Sequence, residues 1–460
     1  MQTAKQMKQF MEPQSVALIG ISRDTGEGAF NILKHLLDYG YRGKIYPVNP
    51  SASEILGIRT YSSITAVNED VDLAIITTPR SLVPRLVREC SQSNIQAIEI
   101  VAQGFTDAND DEGKQLQEEI NDIARTSQIR ILGPNTFGTA NAFINFSSSF
   151  VKIRMEKKPI GVICQTGVFF VGFPELALIG KGIDLGNACD ISFAEGLEYF
   201  ENDPQTKVVV LHIEGMQDTK RFIDIARHTA RTKPVVALKT GRSQQAAKAA
   251  QSHTGSLIGR NEVWDAALKQ SGVIQASDLE EFIDLTRTFS VLPLMQEPRI
   301  GVVTISGGLG IVTIDGCQQS GLEIGQLSAN TKKLLDAVSP PWLNISNPVD
   351  IWPAMMTSPS VMKPLIDGLE ALLSDEHLGA VLFLGATFDE KWNTALCQLL
   401  NEAAADHQDK PLACCLWGPC GDEAIRGLGD AGKVVGFPTP ERAIRALAHL
   451  NEYSQLRRIL

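Results

Sequence analysis

The sequence has no apolar run approaching the roughly 18–20 residues of a membrane-spanning helix, so no membrane partner is expected. It also lacks a basic run. Lys and Arg number 42 against 53 Asp and Glu, a formal charge of −11. That balance is a poor match for a polyphosphate backbone, and no nucleic acid partner is expected. The opening residues, MQTAKQMKQFMEP, carry neither an apolar core nor a small-residue cleavage site, unlike a secretory signal. The eight cysteines, at 90, 164, 189, 317, 397, 414, 415 and 420, form no CxxC pair and lie in apolar segments. Reduced thiols in a cytoplasmic protein are expected, with no disulfide framework and no metal site.

Several catalytic signatures are missing too. There is no GxxxxGK[ST], because Gly180-Lys181 runs into Gly182 and Gly432-Lys433 into Val434. There is no GxSxG elbow, because Thr304 precedes Ile305-Ser306-Gly307, and there is no HExxH. A P-loop ATPase, a serine hydrolase and a zincin are poor readings of this chain.

What is present points to a soluble α/β protein. At roughly 100–200 residues per domain, 460 residues suggest three domains, with two or four as alternatives. Hydrophobic residues at 43% and charged residues at 21% are those of a globular chain, not a disordered one. Short β-branched runs alternate with glycine turns and amphipathic stretches. The first domain, 1–140, has strands expected at 15–19, 44–49, 72–77, 95–100 and 129–132. A helix over 28–38 presents Phe30, Leu33, Leu36 and Leu37 on one face, and further helices fall near 81–92 and 109–126. Strands separated by helices imply a parallel, Rossmann-like sheet with right-handed crossovers. The second domain, 141–295, has strands expected at 160–164, 183–188, 207–212 and 234–238, with helices near 167–179, 219–231, 260–270 and 277–289. The third, 296–460, follows the linker VLPLMQEP (291–298), with strands at 299–305, 379–384 and 411–416 and a last helix at 438–453. The second and third repeats both open with a strand (IGVIC, IGVVTI), a small polar and glycine turn, and a helix. Each reads as a flavodoxin-like parallel-sheet domain.

The first turn, Gly20-Ile21-Ser22-Arg23-Asp24-Thr25-Gly26-Glu27-Gly28, follows a strand and opens a helix, so its main-chain N–H groups can cradle a diphosphate. It is not GxGxxG. The next strand ends in Val48-Asn49-Pro50, where an NAD site places an acid for the ribose hydroxyls. The missing acid argues against an NAD-dependent oxidoreductase and leaves another diphosphate-bearing nucleotide, a description that coenzyme A fits. Thr77-Thr78-Pro79 and Gln103-Gly104 end the following strands and are expected to line the same crevice, with Gly133-Pro134-Asn135-Thr136-Phe137-Gly138 closing it.

Among seven histidines, His253 sits in Gln251-Ser252-His253-Thr254-Gly255-Ser256, a loop of small residues open to a second reactant. A neutral imidazole attacks phosphoryl groups well when an acceptor orients its other nitrogen. Glu214, at a strand end in His212-Ile213-Glu214-Gly215, is a candidate acceptor. Taken alone, a loop histidine is more often a solvated surface residue. His228 reads as surface, His35, His407 and His449 as helix-face residues, and His212 as a buried strand residue.

Taken together, these segments resemble the α-subunit of the NDP-forming acyl-CoA synthetases, relatives of succinyl-CoA synthetase typified by ADP-forming acetyl-CoA synthetase. The likeness runs through SVALIGISRD, NILKHLLDYGYRGKIYPVNP, VDLAIITTP and GPNTFG; then GNACDISFAEGLEYFENDPQTKVVVLHIEG and SHTGSLIGRNEVWDAALKQSGV; then ISGGLGIVTIDGC, NPVDIWP and FPTPERAIRAL. The resemblance implies the reaction acyl-CoA + phosphate + ADP (or GDP) ⇌ acid + CoA + ATP (or GTP). It implies that CoA binds the first domain, through Gly20, Ser22, Arg23, Gly26, Asn49, Pro50, Thr77, Thr78, Pro79, Gln103 and Gly104. Phosphate and acid would be held by Gln165, Thr166, Gly167 and Asn135. His253 would carry the phosphoryl group, stabilised by Glu214. The family's ATP-grasp domain is not in these 460 residues, so the resemblance implies a partner β-subunit bringing the nucleotide and Mg2+, in an α2β2 heterotetramer. A non-catalytic CoA-binding or regulatory protein of the same fold is the alternative.

Two departures from the family pattern stand out. Ser51 follows the VNP turn where the family often has lysine, a loss that weakens CoA binding unless Arg23 substitutes. Phe169 and Phe170 replace small residues after Gln165-Thr166-Gly167; they either reshape the acid pocket or pack inward.

Overall fold

The computed structural model describes residues 2–26, 30–108, 110–171, 180–216, 218–243, 245–246 and 261–459. The chain divides into two compact units, Met1–Ser277 and Asp278–Leu460.

The first unit holds two sheets and a small hairpin. Strands β1 (Ser15–Ile19), β2 (Lys44–Val48), β5 (Leu73–Ile76), β6 (Ala97–Ile100) and β7 (Arg130–Leu132) pair in parallel in the order β2-β1-β5-β6-β7, while β3 (Glu54–Ile55) and β4 (Ile58–Arg59) form the hairpin. The buried run of each main strand explains its place, since a parallel sheet is covered on both faces. The second sheet is built from β8 (Thr139–Asn141), β9 (Phe146–Ser147), β10 (Ile160–Cys164), β11 (Lys181–Asp184), β12 (Val208–Ile213), β13 (Val235–Lys239) and β14 (Ile274–Ala276). Its order is β14-β13-β12-β10-β11-β8-β9, with a parallel core and β8 and β9 antiparallel at one edge. The helix Gln2–Met11 buries Met7, Phe10 and Met11 completely. Its last carbonyls would be left without partners in an apolar setting. The Thr139 hydroxyl donates to the Phe10 carbonyl (2.9 Å) and the Asn141 amide to that of Met11 (2.9 Å).

The second unit carries β15 (Arg299–Thr304), β16 (Glu323–Ile324), β17 (Val349–Asp350), β18 (Ala380–Ala386), β19 (Leu412–Trp417) and β20 (Val435–Phe437), ordered β16-β15-β18-β19-β20 with β17 also pairing β15. The helix Pro440–Ile459 packs on the helix Leu279–Val291. Counting only the parallel core, all three sheets share one doubly wound order. In each, the crossovers reverse direction beside the first core strand, between β1 and β5, β10 and β12, and β15 and β18. Ligands of such sheets bind outside the carboxyl ends of the strands at that switch point.

Three expectations change. The strand expected at 183–188 is β11, Lys181–Asp184. Gly186 and Ala188 both take left-handed φ values, 53° and 51°, which end the strand and turn the chain. The lysine after Gly180 is a buried strand residue, paired with Asp203 at 2.9 Å. The first helix after the glycine turn is Ile32–Tyr39, capped by the Asn31 side chain on the Lys34 N–H. It buries Ile32, Leu33, His35 and Leu36, whereas Phe30 is 70% exposed and Leu37 also faces solvent. The antiparallel edge strands β8 and β9 and the short strands β3, β4, β14, β16, β17 and β20, each of two or three residues, lie outside the expected strands, because so short a run carries no periodicity to read.

Candidate active site

At the switch point of the first sheet, Gly20 ends β1 against the residues that end β5. Its φ is +86°, and a Cβ there would lie 2.5 Å from Thr78 Cγ2 and 3.2 Å from Thr78 N. Only glycine fits both the dihedral and the space. The Thr77 hydroxyl donates to the Ile19 carbonyl (3.1 Å), tying the two strand ends together. Thr78 Oγ1 is buried without a hydrogen-bond partner among the described residues. A buried hydroxyl in that state costs free energy unless something pairs with it. The loop beyond Gly20 is sewn up by its own side chains. Ser22 Oγ accepts from the Asp24 N–H (3.0 Å), and Asp24 Oδ1 from that of Gly26 (3.0 Å). The Asn31 amide donates to the carbonyls of Ser22 and Asp24, and Lys34 Nζ to those of Thr25 (3.2 Å) and Gly26 (3.4 Å). Arg23 is exposed at the loop tip. Asn31 and Lys34 went unnoticed in the sequence because they lie inside the helical pattern.

Asn49 is structural as well as positional. Its amide donates to the Ile21 carbonyl (2.9 Å), and its Oδ1 accepts from the Ser51 N–H (2.8 Å). Pro50 and Ser51 next to it are exposed, as is Pro79 beyond the end of β5. Gln103 is exposed, and Gly104 has φ +96°. The N–H groups of Gly104 and Phe105 are already committed to the Asp107 carboxylate (2.8 and 2.9 Å). Arg80 lies across Gly104, donating to its carbonyl (2.6 Å) and to Asp110 and Glu112. At the ends of β1 and β5 the Thr78 hydroxyl is thus left for a ligand to pair, while the Asp24 and Gly26 N–H groups, expected to cradle a diphosphate, are taken by side chains of their own loop. The Gly104 turn is occupied by its own carboxylate.

Asn135 (φ +58°) belongs to a loop wedged between the two sheets of this unit. Its N–H donates to the Ala102 carbonyl (3.0 Å), while the Pro134 carbonyl accepts from the Asn187 N–H (2.9 Å). Gly186 packs so closely that a Cβ would lie 2.3 Å from the Pro134 oxygen. The Phe137 N–H donates to Asp184 Oδ2 (2.6 Å). Burial raises the Asp184 carboxyl to about 7, partly offset by this bond. The Phe137 ring covers Gly167, whose Cβ would lie 2.2 Å from ring carbon Cδ2.

The second sheet's switch point joins Gln165 and Glu214, distant in sequence but adjacent at the ends of β10 and β12. The buried Gln165 side-chain carbonyl accepts from the N–H groups of Glu214 (2.8 Å) and Gly215 (3.1 Å). Thr166 and Gly167 continue the turn into the helix Val168–Val171. Phe169 packs inward, with its ring stacked on His212 at 4.4 Å and 24°. His212 is 3% exposed, with Nε2 3.1 Å from the Thr240 hydroxyl. Burial and the charge of Lys239 lower its pKa to about 4, which keeps the ring neutral. Lys239, at the end of β13, is also 3% exposed. It donates to the Glu214 carbonyl (2.9 Å) and to the Thr240 carbonyl, and its Nζ lies 5.3 Å from the centre of the Trp264 ring. His253 lies outside the described residues, as does the Phe170 side chain. Sequence reasoning passed over Lys239, although a lysine closing the apolar run PVVALK is itself a signal. Among the described residues, no group of three or more His, Cys, Asp or Glu side chains is arranged to hold a metal ion, and no helix is long and apolar enough to cross a membrane.

Known proteins share this architecture. A family model described as a CoA binding domain matches residues 14–142, and one described as a succinyl-CoA ligase like flavodoxin domain matches 157–289. The α subunit of ADP-forming acetate–CoA ligase I from Pyrococcus furiosus is 33% identical over 460 residues, covering 98% of each chain. The ADP-forming acetate–CoA ligase of Methanocaldococcus jannaschii is 34% identical over 98% of this chain, which spans 64% of that longer protein. A solved structure, acetyl-coenzyme A synthetase 1 of Ca. Korarchaeum cryptofilum in complex with phosphate and ADP, superposes with a TM-score of 0.86 at 27% identity, covering 98% of this chain and 97% of that one. The chain belongs to the family of ADP-forming acetate–CoA ligases, which are acid–thiol ligases, and it corresponds to their α subunit.

Proposed function

We propose that this chain is the α-subunit of an acyl-CoA synthetase that interconverts acyl-CoA, phosphate and ADP (or GDP) with a carboxylic acid, CoA and ATP (or GTP). The crevice at Gly20, Thr77 and Thr78 takes CoA, with Ser22, Arg23, Gly26, Asn49, Pro50, Pro79, Gln103 and Gly104 around it. The turn Gln165-Thr166-Gly167, with Asn135, takes the phosphate and the acid. Phosphate attacks the thioester carbonyl and the CoA thiolate leaves, giving an acyl phosphate. A ring nitrogen of His253 then attacks phosphorus, the carboxylate leaves, and Glu214 accepts a hydrogen bond from the other ring nitrogen. The phosphoryl group passes to a nucleoside diphosphate held with Mg2+ on an ATP-grasp β-subunit, in an α2β2 assembly in the cytoplasm. The domains at 1–140, 141–295 and 296–460 divide these tasks.

The observation that carries this reading is the meeting of Gln165 and Glu214 at a switch point, within an α subunit of this family. Radiolabelled acetyl phosphate tests it. The wild-type chain is expected to take up label that survives alkali and is lost in acid, and His253→Ala to take up none. Equal labelling of both, or of neither, refutes the assignment.

A further inference from the structure

The backbone of Glu214 is gripped from both sides. Its N–H, together with that of Gly215, is held by the Gln165 side chain from the end of β10. Its carbonyl is held by the Lys239 ammonium from the end of β13 (2.9 Å). Ile213 and Lys239 are register partners, so the lysine reaches across one strand spacing to the residue after its partner. The same ammonium holds the Thr240 carbonyl and lies over the Trp264 ring. A buried cation is costly unless it meets several acceptors. Here two carbonyls and an indole face meet it, all of them at the rim where Glu214 stands. An apolar residue would fill the same volume without that cost, so local packing alone does not account for a lysine at this position.

We propose that Lys239 is a positioning residue for the phosphoryl-transfer step, fixing with Gln165 the backbone of Glu214 and so the direction of its carboxylate. The inference rests on the functional reading above, in which Glu214 stabilises the phosphorylated histidine. It assigns Gln165 a task beyond phosphate binding, because its side-chain oxygen is spent on the two N–H groups. Burial, and then repulsion from Arg242, lower the Lys239 pKa to about 8, with Glu214 opposing. Among the described residues, the charged and titratable groups around it are neutral His212 from β12, Glu214 just after that strand, Arg242 on its own loop, and Asp265, which pairs Arg242 at 2.8 Å from the helix Asn261–Gln270. The charge that strengthens the carbonyl grip is therefore lost as pH rises through about 8.

The test is the initial rate of labelling from acetyl phosphate, followed from pH 7 to 9.5 in the wild type, Lys239→Met and Gln165→Met. At pH 7 each variant is expected to label about 10–100-fold more slowly, the scale of a misplaced catalytic group. The ratio of wild-type to Lys239→Met rates should then fall toward one above pH 8, which a merely structural lysine would not produce. The Gln165→Met ratio should persist at high pH, and it carries the test if Lys239→Met does not fold. Wild-type labelling with an unimpaired Lys239→Met variant, or with a deficit that stays constant with pH, overturns this proposal alone. If Lys239→Met does not fold, an unimpaired Gln165→Met overturns it. Absence of label from the wild type overturns the functional reading and this proposal with it.

Discussion

Thr78 closes β5 against Gly20 with its hydroxyl buried and without a partner among the described residues. Such a group destabilises the free protein by about 1–3 kcal/mol. The proposed CoA site gives it a purpose, and the two effects can be separated. Thr78→Val keeps the shape and removes the orphan group. The variant is expected to unfold at the same temperature as wild type or a higher one, and to bind CoA about tenfold more weakly by titration calorimetry. Unchanged CoA affinity would place the ligand elsewhere. The same residue scale shows what was readable in advance. Gly20, Thr77, Gln165 and Glu214 stand at strand ends in the sequence, and strand ends are where such sheets bind ligands. Asp107 was not readable, because the use of its carboxylate by the Gly104 and Phe105 N–H groups depends on loop closure.

Among the elements, the pairing of the helices Leu279–Val291 and Pro440–Ile459 is held by charge as well as packing. Arg442 forks onto the buried Asp284 (2.7 and 2.8 Å) and reaches Glu280 (2.8 Å). His449 stands between Glu281 (3.4 Å) and Glu452 (3.3 Å). Burial alone would lower the His449 pKa, but the two carboxylates outweigh it and raise it to about 9. A raised folded-state value means that the charged imidazole stabilises the fold fully below its unfolded pKa, roughly 6.5. That stabilisation fades as pH rises through 9. His449→Gln is expected to cost about 2–3 kcal/mol at pH 6.5 and little at pH 9.5, read as the gap between urea midpoints. A gap that does not narrow with pH would show that the ion pairs contribute nothing. The sequence marked His449 only as a helix-face residue, since the partner helix lies about 160 residues earlier in the chain.

At the scale of the whole molecule, one topology appears three times, and each sheet places its switch point at the loops after its first and third core strands. The first carries the Gly20–Thr78 contact and the second the Gln165–Glu214 turn. No third partner for a nucleotide is proposed on this chain. Mg-ADP added to the labelled protein is accordingly expected to leave the label in place, and the proposed ATP-grasp β-subunit, added with Mg-ADP, to discharge it to ATP. Discharge by Mg-ADP alone would move the nucleotide site onto these 460 residues.

The alternation of apolar runs, glycine turns and amphipathic stretches was sufficient to specify parallel sheets with helical crossovers, because periodicity and turn chemistry are local properties. Motif order was sufficient to reveal the family. Only the folded chain decided where β11 ends, that Phe169 lies flat on His212, and that Lys239 and Gln165 hold the Glu214 backbone between them. These depend on which strand lies beside which and in what register. A sequence pattern cannot carry that information, because the contacts join segments tens of residues apart whose adjacency exists only after the sheet has closed.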